Sequence, residues 1–169
     1  IYDPVDTKKY YFKKFGDFYL TVSRLFPEKR TSIIIDAFLK MPEKKLVIVG
    51  DGPEREHIIN KIDENKNITL LNDVSEKELL ELYSQCLTTI YLPKNEDYGL
   101  IPLESMAAGK PCIAANEGGC KETVINGKTG FFIKAEEKQI ITTIMNLNLE
   151  TIKKMQDDFK AQAKKFDIS

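Results

Sequence analysis

Apolar and polar positions divide the chain into two alternating kinds of segment. Short apolar runs, typical of strands, alternate with longer segments in which apolar residues recur every three or four positions, as on a helix. The runs predict strands at 18–22, 45–50, 68–71, 87–92 and 111–115, and residues 126–133 predict a turn followed by a last short strand. The helical periodicity predicts helices at 32–41, 53–65, 75–86, 102–109, 135–147 and 149–165.

Local signals support several of these boundaries. Pro53 falls in the first turn of its predicted helix, where proline is tolerated, and Gly109 closes the helix that begins at residue 102. Ser75 and Glu78 have the spacing of a capping box. The run KLVIVG, residues 45–50, is almost entirely apolar, as expected of a strand buried on both faces.

The order of the elements predicts the fold class. Strands that alternate with helices through short connections form right-handed βαβ units, and hence a parallel sheet covered on both faces. We therefore expect a doubly wound, Rossmann-like α/β domain. Ligands of such sheets bind beyond the carboxyl ends of the strands, so functional residues are expected there.

Composition excludes some classes of function. The 169 residues include 25 Lys and Arg against 26 Asp and Glu, and this balance gives no general attraction to nucleic acid or an anionic membrane. No apolar run approaches the roughly 20 residues that span a bilayer, and no signal peptide opens the chain. We expect a cytoplasmic protein, with the full polypeptide at most associated with the cytoplasmic face of a membrane. The first residue is not Met, so we expect a piece of a longer polypeptide.

Cysteine and histidine give little support for a metal site. Cys86, Cys112 and Cys120 have no CxxC spacing, and their plain interpretation is free cytosolic thiols. His57 is the only histidine, which excludes a His-rich metal site within this segment.

Two cations follow the first predicted strand. Arg24 and Lys29 lie five positions apart in VSRLFPEKR. They could clamp a diphosphate, Arg through a forked pair of hydrogen bonds and Lys as a point charge. Two solvated charges on a loop are the alternative interpretation.

The next two strand ends carry weaker signals. GDGPER, residues 50–55, resembles the start of a dinucleotide fingerprint, but Arg55 replaces its third glycine. Gly50 and Gly52 therefore either bring backbone close to a ligand or simply form a turn between strand and helix. After the third strand, Asn72 and Asp73 either cap and turn the chain or offer backbone groups to a nucleobase.

The fourth strand leads into a helix start with two carboxylates nearby. Amides at a helix start lack partners and attract anions, and Gly99 leaves them open. Glu104, expected in the first helical turn, could accept hydrogen bonds from ribose hydroxyls, and Glu96 could reach another part of the same ligand. Alternatively, Glu104 is ordinary helix chemistry and residues 95–97 are a solvated acidic loop. Taken together, cations, helix amides and a carboxylate at one sheet edge suit a nucleoside diphosphate.

The ordered motifs resemble a known family. VSRLFPEKR, VGDGPER, ELYSQC and above all E-x7-E as EDYGLIPLE, followed by SMAAGKPCIAANEGGCKETVINGKTGFFI, resemble the C-terminal domain of retaining group 1 glycosyltransferases with the two-domain GT-B fold. The resemblance covers nearly the whole chain. It implies an interdomain linker at 1–15 and a nucleotide-sugar-binding domain at 16–169, with KKFDIS just before a returning C-terminal helix. The N-terminal acceptor-binding domain would be a partner outside this chain.

The resemblance also implies roles for individual residues. The diphosphate clamp would be Arg24 and Lys29, Glu96 would face the transferred sugar, and these three would be the catalytic residues. Glu104 would hold the ribose hydroxyls. The remaining nucleotide-sugar contacts would come from Tyr98, Gly99, Leu100, Gly50, Gly52, Leu71 and Asn72.

The implied reaction transfers a hexose from a nucleoside diphosphate sugar to a saccharide or lipid-linked acceptor, with retention of configuration. GDP-mannose is the first expected donor and a UDP-sugar the next, with no metal or other cofactor. Two positions depart from the family pattern, since Arg30 follows the clamp lysine where glycine is usual, and Asn72 replaces a frequent glycine. The alternatives are a dinucleotide-binding oxidoreductase module, a non-catalytic interaction module, or a GT-B epimerase or phosphorylase.

Overall fold

A computed structural model describes residues 5–96 and 98–167 of the chain. The first four residues of the predicted linker, Asp97 of the predicted acidic loop and the last two residues of the predicted domain lie outside the described residues.

A six-stranded parallel sheet forms the centre of the fold, with the strand order β3-β2-β1-β4-β5-β6. This confirms the predicted doubly wound, Rossmann-like α/β class. The strands are β1 (Phe18–Val22), β2 (Lys45–Val49), β3 (Ile68–Leu71), β4 (Thr88–Tyr91), β5 (Cys112–Ala115) and β6 (Gly130–Ile133).

The α-helices follow the strands in the predicted order, with one additional α-helix. They are α1 (Thr31–Leu39), α2 (Arg55–Ile62), α3 (Glu76–Gln85), α4 (Leu100–Ala107), α5 (Cys120–Thr123), α6 (Glu137–Met145) and α7 (Leu149–Lys164). Two short 3-10 helices, Thr7–Lys9 and Pro27–Lys29, and the single-turn α5 were not predicted. The capping box on Ser75 and Glu78 is confirmed.

Two helix starts differ from the prediction. Pro53 precedes α2, whose N-cap is Glu54, and so lies outside its first turn. Helix α4 begins at Leu100, two residues earlier than predicted. Glu104 therefore lies in the second turn of α4, and its predicted place in the first turn was wrong. A dipole effect on Glu104 is correspondingly weaker, because that effect falls off within the first turn.

Alternating strand residues pack against two helical layers. One face of the sheet, with Tyr19, Ile48 and Ile90, contacts α1, α2 and α6. The opposite face, with Leu20 and Ala114, contacts α3, α4, α5 and α7. Both faces of the central strands β1, β4 and β5 are thus buried, which explains their near-continuous apolar runs, whereas the edge strand β3 has an exposed residue, Thr69.

The strand order reverses between β1 and β4, and the two strands separate there. Only Tyr19–Thr88 and Leu20–Thr89 are paired in the register, and beyond them the Thr21 hydroxyl donates to the Ile90 carbonyl at 3.2 Å. The helices that follow β1 and β4 lie on opposite faces. A crevice therefore opens at the carboxyl ends of β1 and β4, where doubly wound sheets bind ligands.

Candidate functional site

A cavity of about 420 Å³ occupies this crevice. It is lined by loops that follow β1, β2 and β4 and by the start of α4. Seven of the residues predicted from the sequence line it together: Arg24, Lys29, Gly50, Glu96, Tyr98, Leu100 and Glu104.

The other predicted contacts lie apart from this cavity. Leu71 and Asn72 line a second cavity of about 440 Å³ beside α3. The two sites adjoin, since the Gly50 amide donates to the Leu71 carbonyl at 3.0 Å. Gly52 and Gly99 line neither cavity.

Gly50 and Gly52 allow two loops to run side by side. A Cβ atom on Gly50 would stand 1.8 Å from the Ser23 carbonyl oxygen, and one on Gly52 would stand 2.7 Å from that of Leu25. The same loops continue the ladder beyond the strands, with the Leu25 amide bonded to the Asp51 carbonyl at 2.9 Å. The primary task of these glycines is close backbone packing, which fixes the loop that carries Arg24 beside the end of β2. The Arg24 guanidinium lies 5.3 Å from the ring centre of Phe26.

Lys29 and Glu96 are paired with each other within the cavity. Their Nζ and Oε2 atoms are 2.5 Å apart, and the side chains are only 19% and 23% exposed. The Tyr91 hydroxyl donates to the same Oε2 atom at 2.9 Å. Burial and the Glu96 carboxylate raise the pKa of Tyr91, so this hydroxyl stays a neutral donor.

The structure shows how Arg30 fits at the position after Lys29, where the family that the sequence resembles usually has glycine. Its backbone is left-handed, with φ 55° and ψ 31°, a conformation that costs a non-glycine residue about 1–2 kcal/mol. Its side chain offsets that cost by donating to the carbonyls of Leu92 at 2.6 Å and Pro93 at 2.7 Å, and it pairs with Glu117 at 3.0 Å. Arg30 thus joins the loop after β1 to the loop after β4.

The backbone of Glu96 is held from the other side by the loop after β5. The Gly119 amide donates to the Glu96 carbonyl at 2.7 Å. Gly118, with φ +60°, approaches so closely that a Cβ atom there would stand 2.4 Å from the same oxygen. Gly118 is therefore needed to seat Glu96, whereas Gly119 contributes only its backbone amide.

The first turn of α4 borders the cavity. The N-cap, Gly99, has no side chain, and Pro102 has no amide hydrogen, so the amides of Leu100 and Ile101 are the first-turn donors that lack partners within the helix. Leu100 and Ile101 line the cavity, and helix-terminal amides of this kind bind anions.

Glu104 is oriented by tyrosines. The Tyr83 hydroxyl, from fully buried Tyr83 on α3, donates to Glu104 Oε2 at 2.8 Å. Burial raises the pKa of Glu104, against the opposing effects of hydrogen bonds from Tyr83 and Tyr10 and the charge of Lys9. Burial and the charge of Glu104 in turn raise the pKa of both tyrosines, which remain neutral donors.

Sequence reasoning did not assign roles to Tyr10, Tyr83 and Tyr91. Tyr83 belongs to the motif ELYSQC, but nothing in its spacing shows that its hydroxyl reaches a carboxylate 21 residues away. The sequence signal that could have indicated this contact is a tyrosine at an expected buried position, because a buried Tyr hydroxyl requires a hydrogen-bond partner.

The described ranges contain neither a cluster of metal-ligand side chains nor a helix that could cross a membrane. Across residues 5–96 and 98–167, no three His, Cys, Asp or Glu side chains are grouped as a metal site requires. None of the helices in those ranges combines the length and hydropathy of a membrane-spanning segment. The three cysteines are free and buried.

The arrangement offers complementary groups for one anionic ligand. Two cations and the amides of α4 supply positive charge, and two oriented carboxylates supply acceptors for hydroxyl groups. Such a set fits a ligand that combines a diphosphate with sugar hydroxyls.

Comparison with known proteins gives a family match over nearly the whole chain. The family model described as "Glycosyl transferases group 1" matches residues 5–166. An uncharacterized glycosyltransferase of Methanocaldococcus jannaschii, MJ1178, is 30% identical over 172 residues, covering 98% of this chain and 48% of that protein. The alpha-1,3/1,6-mannosyltransferase ALG2 of Dictyostelium discoideum is 47% identical over 68 residues, 40% of this chain and 16% of that protein. The chain thus corresponds to half or less of these relatives.

A solved structure shares the fold. Anabaena Alr3699/HepE, in a crystal structure with UDP and glucose, superposes with a TM-score of 0.85 at 23% identity, over 99% of this chain and 52% of that chain.

Proposed function

This chain belongs to the group 1 glycosyl transferases, and on that premise we propose that it is the donor-binding half of a retaining hexosyltransferase. The observation that carries the proposal is the single cavity at the β1/β4 crevice, which gathers both cations, the start of α4 and both carboxylates. The remainder of the enzyme, in this proposal, is an N-terminal acceptor-binding domain of the same polypeptide.

The proposed donor spans the cavity from base to sugar. Arg24, Lys29 and the α4 amides bind the diphosphate, and Glu104 accepts hydrogen bonds from the ribose hydroxyls. Glu96, with Tyr98 and Leu100 nearby, faces the sugar. The base lies toward Gly50, Leu71 and Asn72, because these residues connect the first cavity to the second.

The proposed chemistry depends on stabilising the leaving group. The bond between the sugar C1 and the β-phosphate oxygen breaks, and the diphosphate leaves with the electron pair. The acceptor hydroxyl forms the new C1–O bond on the same face, and its proton passes to the departing phosphate oxygen. Arg24, Lys29 and the α4 amides stabilise the charge that develops on the diphosphate. Loss of one such preorganised donor typically lowers the rate by about 10²–10³-fold. These groups do so without a metal in the proposed mechanism.

A glycosidase-like role for the two carboxylates is less well supported. Glu96 is bound by Lys29 and Tyr91, and Glu104 by Tyr83. Each is therefore a hydrogen-bond acceptor held in place, whereas a hydrolytic pair needs one protonated acid and one free nucleophile or base.

Mannose from GDP-mannose remains the first proposed donor. The similarity to ALG2 mannosyltransferases supports it. UDP-sugars are the second choice, supported by the UDP-glucose complex of the HepE neighbour. We place the enzyme in the cytoplasm, at the cytoplasmic face of a membrane if its acceptor is lipid-linked.

A thermal-shift panel of GDP-, UDP- and ADP-sugars, with NAD as the oxidoreductase control, tests this proposal. We expect one nucleotide-sugar class to raise Tm, and Arg24→Ala and Glu104→Ala each to abolish that shift. Lys153→Ala and Glu150→Gln, on an exposed face of α7, are the matched controls and should retain it.

Two outcomes would overturn the assignment. A shift with NAD alone would favour a dinucleotide-binding module, and a nucleotide-sugar shift unchanged in both site variants would mean that the ligand binds elsewhere. The chain by itself should bind nucleotide weakly and show no transferase turnover, which an assay with radiolabelled donor can check.

A further inference from the structure

Lys110 is a fully buried cation outside the cavity just described. It lies between α4 and β5, at the amino ends of the strands, whereas the cavity lies beyond their carboxyl ends. Its Nζ atom donates to the Cys86 carbonyl at 2.7 Å and to the Lys14 carbonyl. No ion pair joins it to a carboxylate within the described residues.

Two aromatic rings complete the surroundings of this ammonium group. The ring centres of Phe12 and Phe15 are 4.6 and 4.7 Å from Nζ. A desolvated cation gains most from such faces, and the backbone carbonyls satisfy its donors. The partners of Lys110 thus include Phe12, Lys14 and Phe15, all from the segment that precedes β1, which we call the entry segment (residues 10–16).

The entry segment is also fixed along the end of α3. The amides of Lys13 and Lys14 donate to the Ser84 carbonyl at 3.0 and 3.1 Å, and the Gly16 amide donates to that of Gln85 at 2.9 Å. Just before this segment, Lys9 and Glu76 form an exposed ion pair, and such pairs contribute little to stability. Lys110 is therefore the buried anchor of this segment.

Tyr10, at the start of the entry segment, reaches the candidate site. Its ring stands edge-on to Tyr83 at 5.6 Å, and its hydroxyl interacts with Glu104. The position of Tyr10 thus affects both the Glu104 carboxylate and the tyrosine that orients it.

We propose that Lys110 is a positioning residue for nucleotide binding: it anchors the entry segment against α3 and so keeps Tyr10 and Tyr83 aligned on Glu104. This inference rests on the proposed function of Glu104 as the ribose-binding carboxylate. Lys110 itself does not touch the nucleotide, because it lies at the opposite edge of the sheet.

Lys110→Met tests the proposal, since Met keeps most of the volume and removes the cation and its donors. We expect the Kd for GDP or UDP, whichever binds, to rise about five-fold in isothermal titration, equivalent to about 1 kcal/mol. Hydrogen exchange without ligand should show faster exchange at the amides of Lys13, Lys14 and Gly16. Lys14→Met is the matched control, because it alters an exposed side chain of the same segment and keeps the carbonyl that Lys110 contacts.

A double-mutant cycle separates positioning from general stability. Tyr10→Phe should raise the Kd by itself, and Lys110→Met should add little in that background, because both act on Glu104 through one path. Additive effects, or a folded Lys110→Met variant with unchanged Kd, would overturn the role of Lys110.

Failure of the variant to fold and failure of the chain to bind nucleotide have different consequences for the proposal. If Lys110→Met does not fold, Phe15→Leu removes one ring of the same surroundings and should produce a smaller rise in Kd with the same faster exchange, whereas an unchanged Kd refutes the proposal. If the unaltered chain binds neither nucleotide, the proposed function fails, and the positioning role fails with it.

Discussion

The ion pair between Lys29 and Glu96 joins two groups that we assign to different parts of one ligand. To bind a diphosphate, Lys29 must give up its ion pair with Glu96, in which Nζ and Oε2 are 2.5 Å apart. A sugar whose hydroxyl groups bind Glu96 would make that exchange easier. Donor binding and diphosphate binding should therefore respond differently to loss of this carboxylate.

Glu96→Gln should strengthen binding of GDP or UDP without sugar by about five-fold, or about 1 kcal/mol, because Lys29 is released for the phosphate. The same variant should weaken the preference for the intact nucleotide sugar. Isothermal titration of both ligands measures the effect, with Glu150→Gln as the control. Weaker binding of the free diphosphate in the variant would contradict a competing ion pair.

Glu104 illustrates a conflict between function and stability. Burial raises its pKa above the ordinary value. For a carboxyl group this means that the native state loses stability as the pH rises through the native pKa, because ionising the buried group costs more than ionising it in the unfolded chain.

Glu104→Gln should therefore raise Tm at pH 8 and do so less at pH 4, while abolishing nucleotide binding. Each 1 kcal/mol gained would appear as about 2–4 °C in a domain of this size. Thermal unfolding at the two pH values measures this, with Glu122→Gln, an exposed glutamate, as the control. A Tm gain that is equal at both pH values would contradict the assigned cause.

Among the elements, the loop after β5 supports Glu96 through Gly118. Gly118→Ala should lower stability by more than the strain of a left-handed alanine, about 1–2 kcal/mol, since the new methyl group would also displace the Glu96 carbonyl. Gly127→Ala is the matched control, because Gly127 has φ +76° and nothing within 4 Å of the added atom.

Urea unfolding of both variants measures the difference. Gly118→Ala should also weaken nucleotide-sugar binding, whereas Gly127→Ala should leave it intact. Equal destabilisation of the two variants would mean that contact with Glu96 is not needed to explain the glycine.

The strands and long helices could be predicted from the sequence because burial on both faces and helical periodicity are local patterns. The start of α4 was less predictable. Amides of a first turn have no partners within the helix, so Pro102 fits at its third position as well as at its first. The single turn α5 has too few residues for a periodic signal, and its Cys120 is buried by tertiary contacts.

The site could be predicted only in part, for a related reason. Topology alone brings loops after β1, β2 and β4 together, and hence Arg24, Lys29 and Glu104. Which of these side chains pair with each other depends on contacts between distant positions, such as Lys29 with Glu96, 67 residues apart. Local sequence patterns carry no information about such pairs.

For the molecule as a whole, buried Lys110 should give stability a distinctive pH dependence. Burial lowers its pKa to about 8, below that of a lysine in an unfolded chain, about 10.4. In the unfolded chain this lysine therefore keeps its proton above pH 8, and its contribution to stability rises with pH there. The buried thiols act in the opposite direction, because burial raises the pKa of Cys86 and Cys120 to about 12, whereas a thiol of an unfolded chain has a pKa of about 8.5. The effect of Lys110 is therefore measured as a difference from a variant that keeps these thiols and lacks the lysine.

We expect the free energy of unfolding of the wild-type chain to rise relative to that of Lys110→Met from pH 7.5 to pH 9. Urea titrations at intermediate pH values measure it, and Lys14→Met should keep the wild-type slope. A difference in unfolding free energy between the two proteins that stays constant from pH 7.5 to pH 9 would contradict a lowered pKa of Lys110.

Because the three cysteine thiols are buried, their reactivity can report local unfolding of the domain. Burial raises the pKa of Cys86 and Cys120 to about 12, so at pH 7 only on the order of one in 10⁵ is thiolate. Cys112 is shifted in the same direction. An alkylating reagent would therefore react with these thiols only after the fold around them opens. The rate at which each sulfur is alkylated would then report the rate at which its part of the fold opens. Mass spectrometry would show which helical layer opens first.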